Sequence, residues 1–404
     1  MPRSRQWYAA LTVGLTAVLS LAALRYASHP WLLICGFGLA GCLTGMRIAA
    51  ATGWRALLWT LAVVALTCGA AEGWAIRQSA RERYRGREPR ALWTPDNDLG
   101  YAPTPGFSGR AWRIQGDADS MVYDVKYSIG ANGLRRSPPD RGPDISACVL
   151  FFGGSFTFGL GLEDEETMPY QVGRLSNGRV RVYNFGVNGY GPHQMLSALE
   201  SGRVDAAINC RPTHVIYLAV WDHVARVAGL RPWQRHDPRY RLDPGGSARR
   251  DGNFDDDPSP EPRPWLLARV LRQFEKSVLI QRVSRRVRPI TKEDVRLFLA
   301  IVSRSRELTF REYPGARFDV ILWRAFISYF RQADARRVNE MMVTALRSAG
   351  YSLHDVDSIL PGFATDPLPY EIPLEPHPNA LATRLLAEYV LRAIVHAPDP
   401  GGAP

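Results

Sequence analysis

Cys148-Val-Leu-Phe-Phe-Gly153-Gly154-Ser155-Phe-Thr-Phe-Gly159 is an apolar run that breaks into a glycine-flanked serine. A short continuous apolar run ended by glycine reads as a strand buried on both faces. A hydroxyl on the turn that leaves such a strand projects at the C-terminal edge of a parallel sheet, where open α/β folds bind their ligands. Far downstream, Glu375-Pro376-His377-Pro378-Asn379 supplies a late acid and histidine able to meet it there.

The flanking sequence keeps alternating. We read strands at 145–152, 180–185, 214–220, 318–323 and 351–356, and helices at 167–175, 192–203, 334–349 and 380–395. Thr291-Lys292-Glu293-Asp294 caps a further helix to roughly residue 309, because a threonine oxygen accepts orphan amide hydrogens and acids suit a helix N-terminus. Strands alternating with helices predict a parallel sheet covered on both faces. The segment 231–264 is rich in Pro, Gly and Asp and reads as an insertion, with Asp243-Pro244-Gly245-Gly246 turning between two hairpin arms. Upstream, 92–144 is turn-rich, and Tyr123-Asp-Val-Lys-Tyr-Ser-Ile129 alternates as a half-buried strand does.

The 404 residues carry a formal charge of +11, which raises nucleic acid or an anionic membrane as partners. Only Lys126, Lys276 and Lys292 are lysines, however, and no interleaved basic and aromatic module appears, so nucleic acid is not an expected partner. Gly154 to Gly159 has phosphate-loop spacing without the lysine, and His214, Asp222 and His223 lack a zinc spacing. Asp222 is read as satisfying loop amides. Among five cysteines, Cys148 and Cys210 each fall at or just before a strand, where they either pair or serve as small buried hydrophobes.

Three uncharged stretches, 7–24, 30–46 and 56–71, approach the ~20 residues that cross a bilayer. Trp7, Trp31, Trp54 and Trp74 fall near their ends like an interfacial belt, and Gly41-x-x-x-Gly45 offers a small-residue packing face. Glu72 is expected at the interface or against another helix. With Arg3, Arg5, Arg47 and Arg55 cytoplasmic, the large domain lies outside; Arg77, Arg81, Arg83, Arg85, Arg87 and Arg90 pull the other way.

Gly153-Gly154-Ser155-Phe-Thr-Phe-Gly159, Asn184-Phe-Gly186-Val-Asn-Gly189-Tyr-Gly191-Pro-His-Gln194 and His377-Pro378-Asn379, in that order, resemble the SGNH/GDSL hydrolase family in a membrane-anchored form. The resemblance spans roughly 98–395 and takes in Tyr127-Ser-Ile-Gly-Ala-Asn-Gly-Leu-Arg-Arg136 as part of a lead-in. It implies a three-layer α/β/α sandwich with a parallel sheet, flavodoxin-like, behind N-terminal transmembrane helices. The implied organisation is a three-helix membrane region at 1–78, a basic linker at 79–95, a β-rich lead-in at 96–144, and a hydrolase-like domain at 145–397 interrupted at 228–316.

The same resemblance makes Ser155 the nucleophile, His377 its base and Glu375 the orienting acid, where the family has aspartate. It draws oxyanion donors from the Ser155 and Gly189 amides and from a third block, where this chain has Trp221 in place of asparagine. Trp221 substitutes through its indole, or Asn188 or His193 contributes instead. No cofactor is implied. The expected activity is an esterase that removes small acyl groups, acetyl among them, from an envelope glycan or lipid. The alternatives are an O-acyltransferase on envelope glycan and a catalytically degenerate binding or scaffold protein.

Overall fold

The computed structural model describes residues 30–48, 52–81, 84–115, 120–139, 144–231, 233–256, 277, 289–324 and 332–397. The chain divides into two compact bodies. The first holds two helices, α1 (Pro30–Ile48) and α2 (Thr52–Arg81), packed on each other. The expected span at 7–24 lies outside the described residues. Of the described helices, one stretch, Gly53–Gln78, is long and apolar enough to cross a membrane, while α1 contributes a shorter apolar segment, Cys35–Thr44. Trp54, Trp59, Leu66 and Trp74 on α2 are exposed, as lipid-facing side chains would be.

The two helices do not meet at Gly41, where an added Cβ would touch no described residue within 4 Å. They meet one turn earlier, with Gly38 against Ala65 and Gly69 against Cys35. Glu72 is buried and accepts a hydrogen bond of 2.7 Å from the Ser277 hydroxyl, so a carboxylate inside an apolar stretch has a polar partner.

The second body is α/β. It opens with short antiparallel pieces: β1 (Tyr84–Arg87), β2 (Trp93–Asp96), β3 (Gly100–Pro103), β4 (Ser108–Gln115) and β5 (Ser120–Ser128). Strands β1, β4 and β5 form one ribbon and β2 pairs with β3. Residues 79–95, expected as a basic linker, thus hold the end of α2, an edge strand of the ribbon and most of β2.

Then follow β6 (Ala147–Gly153), α3 (Ser155–Phe158), α4 (Met168–Leu175), β7 (Val180–Asn184), α5 (Pro192–Glu200), α6 (Arg203–Ala207), β8 (His214–Val220) and α7 (Asp222–Val227). A hairpin of β9 (Pro238–Leu242) and β10 (Ala248–Asn253) precedes α8 (Lys292–Glu312), β11 (Arg317–Trp323), α9 (Gln332–Ser348), β12 (Ser352–Asp355) and α10 (Val356–Ile359). The chain closes with β13 (Glu371–Ile372), β14 (Glu375–Pro378) and α11 (Ala380–Val390).

Strands β12-β11-β8-β6-β7 make a five-stranded sheet in which every pairing is parallel. Helices α5, α8 and α9 pack together in one layer, and α4 packs with α11 in another, giving three layers. Every residue of β6 and β8 is buried, as a sheet covered on both faces requires. Within the interval 228–316, α8 is the crossover from β8 to β11. Thr291 caps it, with Asp294 completing a reciprocal capping box.

The chain leaves β6 for β7 on one side and then crosses to β8 on the other. The C-terminal ends of β6 and β8 therefore flank a topological switch point, the place where such sheets open a crevice. A disulfide joins Cys148 at the start of β6 to Cys210 ahead of β8, with Cα atoms 6.2 Å apart. A second, smaller core lies under the ribbon: Ala111, Val122, Val125 and Tyr127 pack on Phe158, Leu162 and Ile372. The lead-in therefore lies directly on the segment that follows α3.

Candidate active site

Ser155 begins a single helical turn at the end of β6, and the two glycines before it are demanded by space. A Cβ on Gly154 would lie 2.8 Å from the Arg226 guanidinium, 3.0 Å from the Tyr190 carbonyl oxygen and 3.2 Å from His223 Nε2. Gly153, at φ +155°, would press a Cβ to 3.0 Å from the Leu218 carbonyl oxygen. The turn closes on itself when the amides of Thr157 and Phe158 donate to the Gly154 carbonyl at 3.1 and 3.0 Å.

Two neighbours hold the segment beyond it. Asn184, the last residue of β7, donates to the Thr157 carbonyl at 3.0 Å and accepts from the Gly186 amide at 2.9 Å. Arg135 is 1% exposed, pairs with Asp164 at 2.9 Å, and donates to the carbonyls of Phe158, Gly159 and Leu162. Its guanidinium also lies 4.3 Å from the Tyr127 ring and 4.5 Å from the Phe158 ring. Burial draws Arg135 below the usual guanidinium range while Asp164 resists it. This cation bolts the lead-in to the Ser155 turn.

His377 arrives on β14, the second arm of the short β13–β14 pair. Its Nε2 lies 2.8 Å from Ser155 Oγ, and its Nδ1 lies 2.7 Å from Glu375 Oε1. An ionised carboxylate only accepts, so Nδ1 carries the proton and Nε2 is left to accept from the serine hydroxyl. Asn379 anchors the segment by capping α11 at the Ala382 amide and donating to the carbonyls of Pro369 and Glu371. The imidazole also lies on Phe156, with ring centroids 4.8 Å apart.

The second oxygen of Glu375 accepts from Arg113, which comes from β4 of the ribbon. Burial alone would raise this carboxyl, but the hydrogen bond to His377 and the charges of His377 and Arg113 hold it below the usual carboxylate range. Glu375 is thus held between an imidazole on one side and a cation on the other. Neither Arg113 nor Arg135 was singled out from the sequence. The only signal for Arg135 was its place in the quoted lead-in run, and Arg113 is 262 residues from its partner.

The loop bearing Gly189 runs beside the turn, with the Val187 amide donating to the Gly153 carbonyl at 3.3 Å. Gly189 has φ +85°, a conformation that favours glycine. Trp221 follows β8 and is 5% exposed, part of the main apolar cluster, with the Arg231 guanidinium 5.8 Å from its ring. Asp222 does not serve loop amides: it pairs with Arg226 and Arg231, and against the effect of burial those two cations hold it below the usual carboxylate range.

Of the two substitute donors, Asn188 is engaged elsewhere, while His193 keeps a buried Nδ1 without a partner among the described residues. Asn188 donates its amide to Glu88 at 2.6 Å, and His193 is 1% exposed beside Gln234 and Asp237. From α7, the side chains that face Gly154 are His223 and Arg226. His223 Nδ1 lies 2.6 Å from the Tyr217 hydroxyl, and burial, reinforced by Arg226, keeps this imidazole well below its usual range and neutral.

No protein-family model and no curated protein matches the chain. Among solved structures it is similar to a member of the lipolytic protein G-D-S-L family from Veillonella parvula DSM 2008, at 14% identity over 62% of this chain and 99% of that one, TM-score 0.36. It is also similar to an acetylxylan esterase from Geobacillus stearothermophilus, at 14% identity over 61% and 94%, TM-score 0.33. A third is an alpha/beta hydrolase from the metagenome of Lake Arreo, Spain, at 15% identity over 62% and 95%, TM-score 0.34. These likenesses concern the α/β fold. The chemistry rests on the geometry above.

Proposed function

We propose that the chain is a membrane-anchored serine esterase that removes small acyl groups, acetyl among them, from an envelope glycan or lipid. The unbroken series Glu375, His377, Ser155, with contacts of 2.7 and 2.8 Å, carries this reading. Ser155 Oγ attacks the ester carbonyl as its proton passes to His377 Nε2. The tetrahedral intermediate then collapses, and His377 returns the proton to the departing alcohol. Water, deprotonated by the same Nε2, releases the acid from the acyl-enzyme; a sugar hydroxyl in its place would make the reaction a transfer. Throughout, Glu375 stabilises the imidazolium, and the amides of Ser155 and Gly189 receive the oxyanion.

The disulfide Cys148–Cys210 supports placing this body outside the cytoplasm, since such bonds persist in oxidising compartments. The apolar helix Gly53–Gln78 supports the anchor. Topology is checked with a reporter active only outside the cytoplasm, fused after Pro404; a silent reporter overturns the placement.

The activity is tested by fluorophosphonate labelling of the full chain in detergent, with the modified residue located by mass spectrometry. Labelling at Ser155 that is lost in Ser155→Ala and His377→Ala is the expected result. A folded chain that takes no label would sink the esterase.

A further inference from the structure

Trp233 is 51% exposed, and its indole lies against the Gly189 loop: a Cβ on Gly189 would meet the Tyr101 hydroxyl first and would lie 3.3 Å from Trp233 Nε1 and 3.6 Å from its Cδ1. The turn that presents it is built from the inside. The Gln234 amide donates to the Arg231 carbonyl at 3.2 Å, and the Asp237 amide donates to the Gln234 carbonyl at 3.1 Å. Arg231 is fastened to Asp222. Gln234 reaches His193 at 3.3 Å, and Asp237 accepts from Gln194 at 2.8 Å, each of these four side chains being 1% exposed. Gln234 also donates to Asp237 at 3.3 Å, which links all four side chains, while His193 Nδ1, Gln234 Oε1 and Asp237 Oδ1 stay buried without a partner among the described residues; burying such groups is costly, and the residue beside them leaves its own ring in solvent.

The rim beside the ring is polar. Asn188, adjacent to Gly189, donates to Glu88 at 2.6 Å, and its Oδ1 is shielded without a hydrogen-bond partner among the described residues. A broad indole face against a loop that carries an amide and, through it, a carboxylate is amphipathic. It suits a ring that shows C–H groups on its face and hydroxyls at its edge. An aliphatic chain laid there would desolvate the Asn188–Glu88 pair without replacing its water.

We infer that Trp233 is a stacking platform for a pyranose ring, so that the ester cleaved at Ser155 is carried by a sugar and not by a lipid glycerol. The inference rests on the esterase reading and narrows its substrate to O-acylated carbohydrate. Trp233 stacks on the sugar while the exposed Glu88 meets its hydroxyls, and the acyl carbonyl is delivered to the Gly189 amide.

The test compares the full chain with Trp233→Ala, Trp233→Phe and Trp233→Tyr on glucose pentaacetate, 4-nitrophenyl acetate and 4-nitrophenyl octanoate. The quantity read is kcat/KM for the sugar ester divided by that for 4-nitrophenyl acetate. We expect this ratio to fall about tenfold in Trp233→Ala, through KM, and to recover in Trp233→Tyr and Trp233→Phe, as loss of one stacking contact implies. An unchanged ratio, with Ser155 still labelled by fluorophosphonate, overturns the platform and leaves the esterase standing. A selective loss on the octanoate overturns it too, by assigning the ring to an acyl chain. Should Ser155 take no label, saturation-transfer NMR of glucose pentaacetate on the Ser155→Ala chain still decides: ring-proton signals abolished by adding Trp233→Ala support the platform, and persistent signals refute it.

Discussion

Ser155 and Glu375 end the same hydrogen-bond chain, but they are held by opposite means. The serine stands on a backbone turn with no spare volume, hemmed by Arg226, Tyr190 and His223 and tied from beyond by the fully buried Arg135. The acid sits on a short β-pair, and its orientation comes from two side-chain partners, His377 and Arg113, the latter's side chain 28% exposed. One end is fixed by packing and the other by charge. Damage to the first should appear in folding, and damage to the second in rate and pH dependence.

Arg135→Met should give the largest effect, because it leaves Asp164 and three carbonyls buried without their cation. Breaking such a pair costs about 3–5 kcal/mol, read as a drop in the unfolding temperature of the full chain. Gly154→Ala should follow at about 1–3 kcal/mol from overpacking, with fluorophosphonate labelling lost alongside. An unfolding temperature equal to that of the unmodified chain would show the turn to be less constrained than its contacts indicate.

Arg113→Met should destabilise least, by about 1 kcal/mol or less for a partly exposed pair, and lower kcat/KM by about tenfold. Its signature is in the pH profile. Glu375 has a depressed pKa, so its contribution to stability is present above its unfolded pKa and is lost as pH falls through the folded one. Removing Arg113 takes away one of the groups that depress it. The acidic limb of kcat/KM should therefore move to higher pH, with Arg113→Lys moving it less; a limb that stays put would refute the electrostatic role.

What the sequence disclosed was local. The apolar run into Gly153-Gly154-Ser155, the Thr291 cap and the Asp243 hairpin turn are short-range patterns whose physics is contained within a few residues. Ser155, His377 and Glu375 could be named because they lie in short motifs whose order resembles a known family, each motif contained within a few residues. Their supports could not. Arg113 and Arg135 are two arginines in an arginine-rich chain, and their worth depends on a ribbon folding back over the nucleophile segment. Asp222 looked like a loop residue because Arg226 and Arg231 gain meaning only once α7 and the following turn are formed. Between the two described helices the contact falls at Gly38 and not at Gly41, because a small-residue spacing does not fix helix rotation.

In the ribbon, Gly86 of β1 stands directly opposite Arg113 of β4. Limited proteolysis is thereby sensitive to position: cleavage ahead of Tyr84 would free the α/β body with the strand beside Arg113 intact. Cleavage after Arg87 would release a body that still carries Ser155 and His377 but has lost the flank of the arginine that tunes its acid. The position of the cut, before or after β1, thus decides whether a freed α/β body would be a faithful copy of the same body in the full chain.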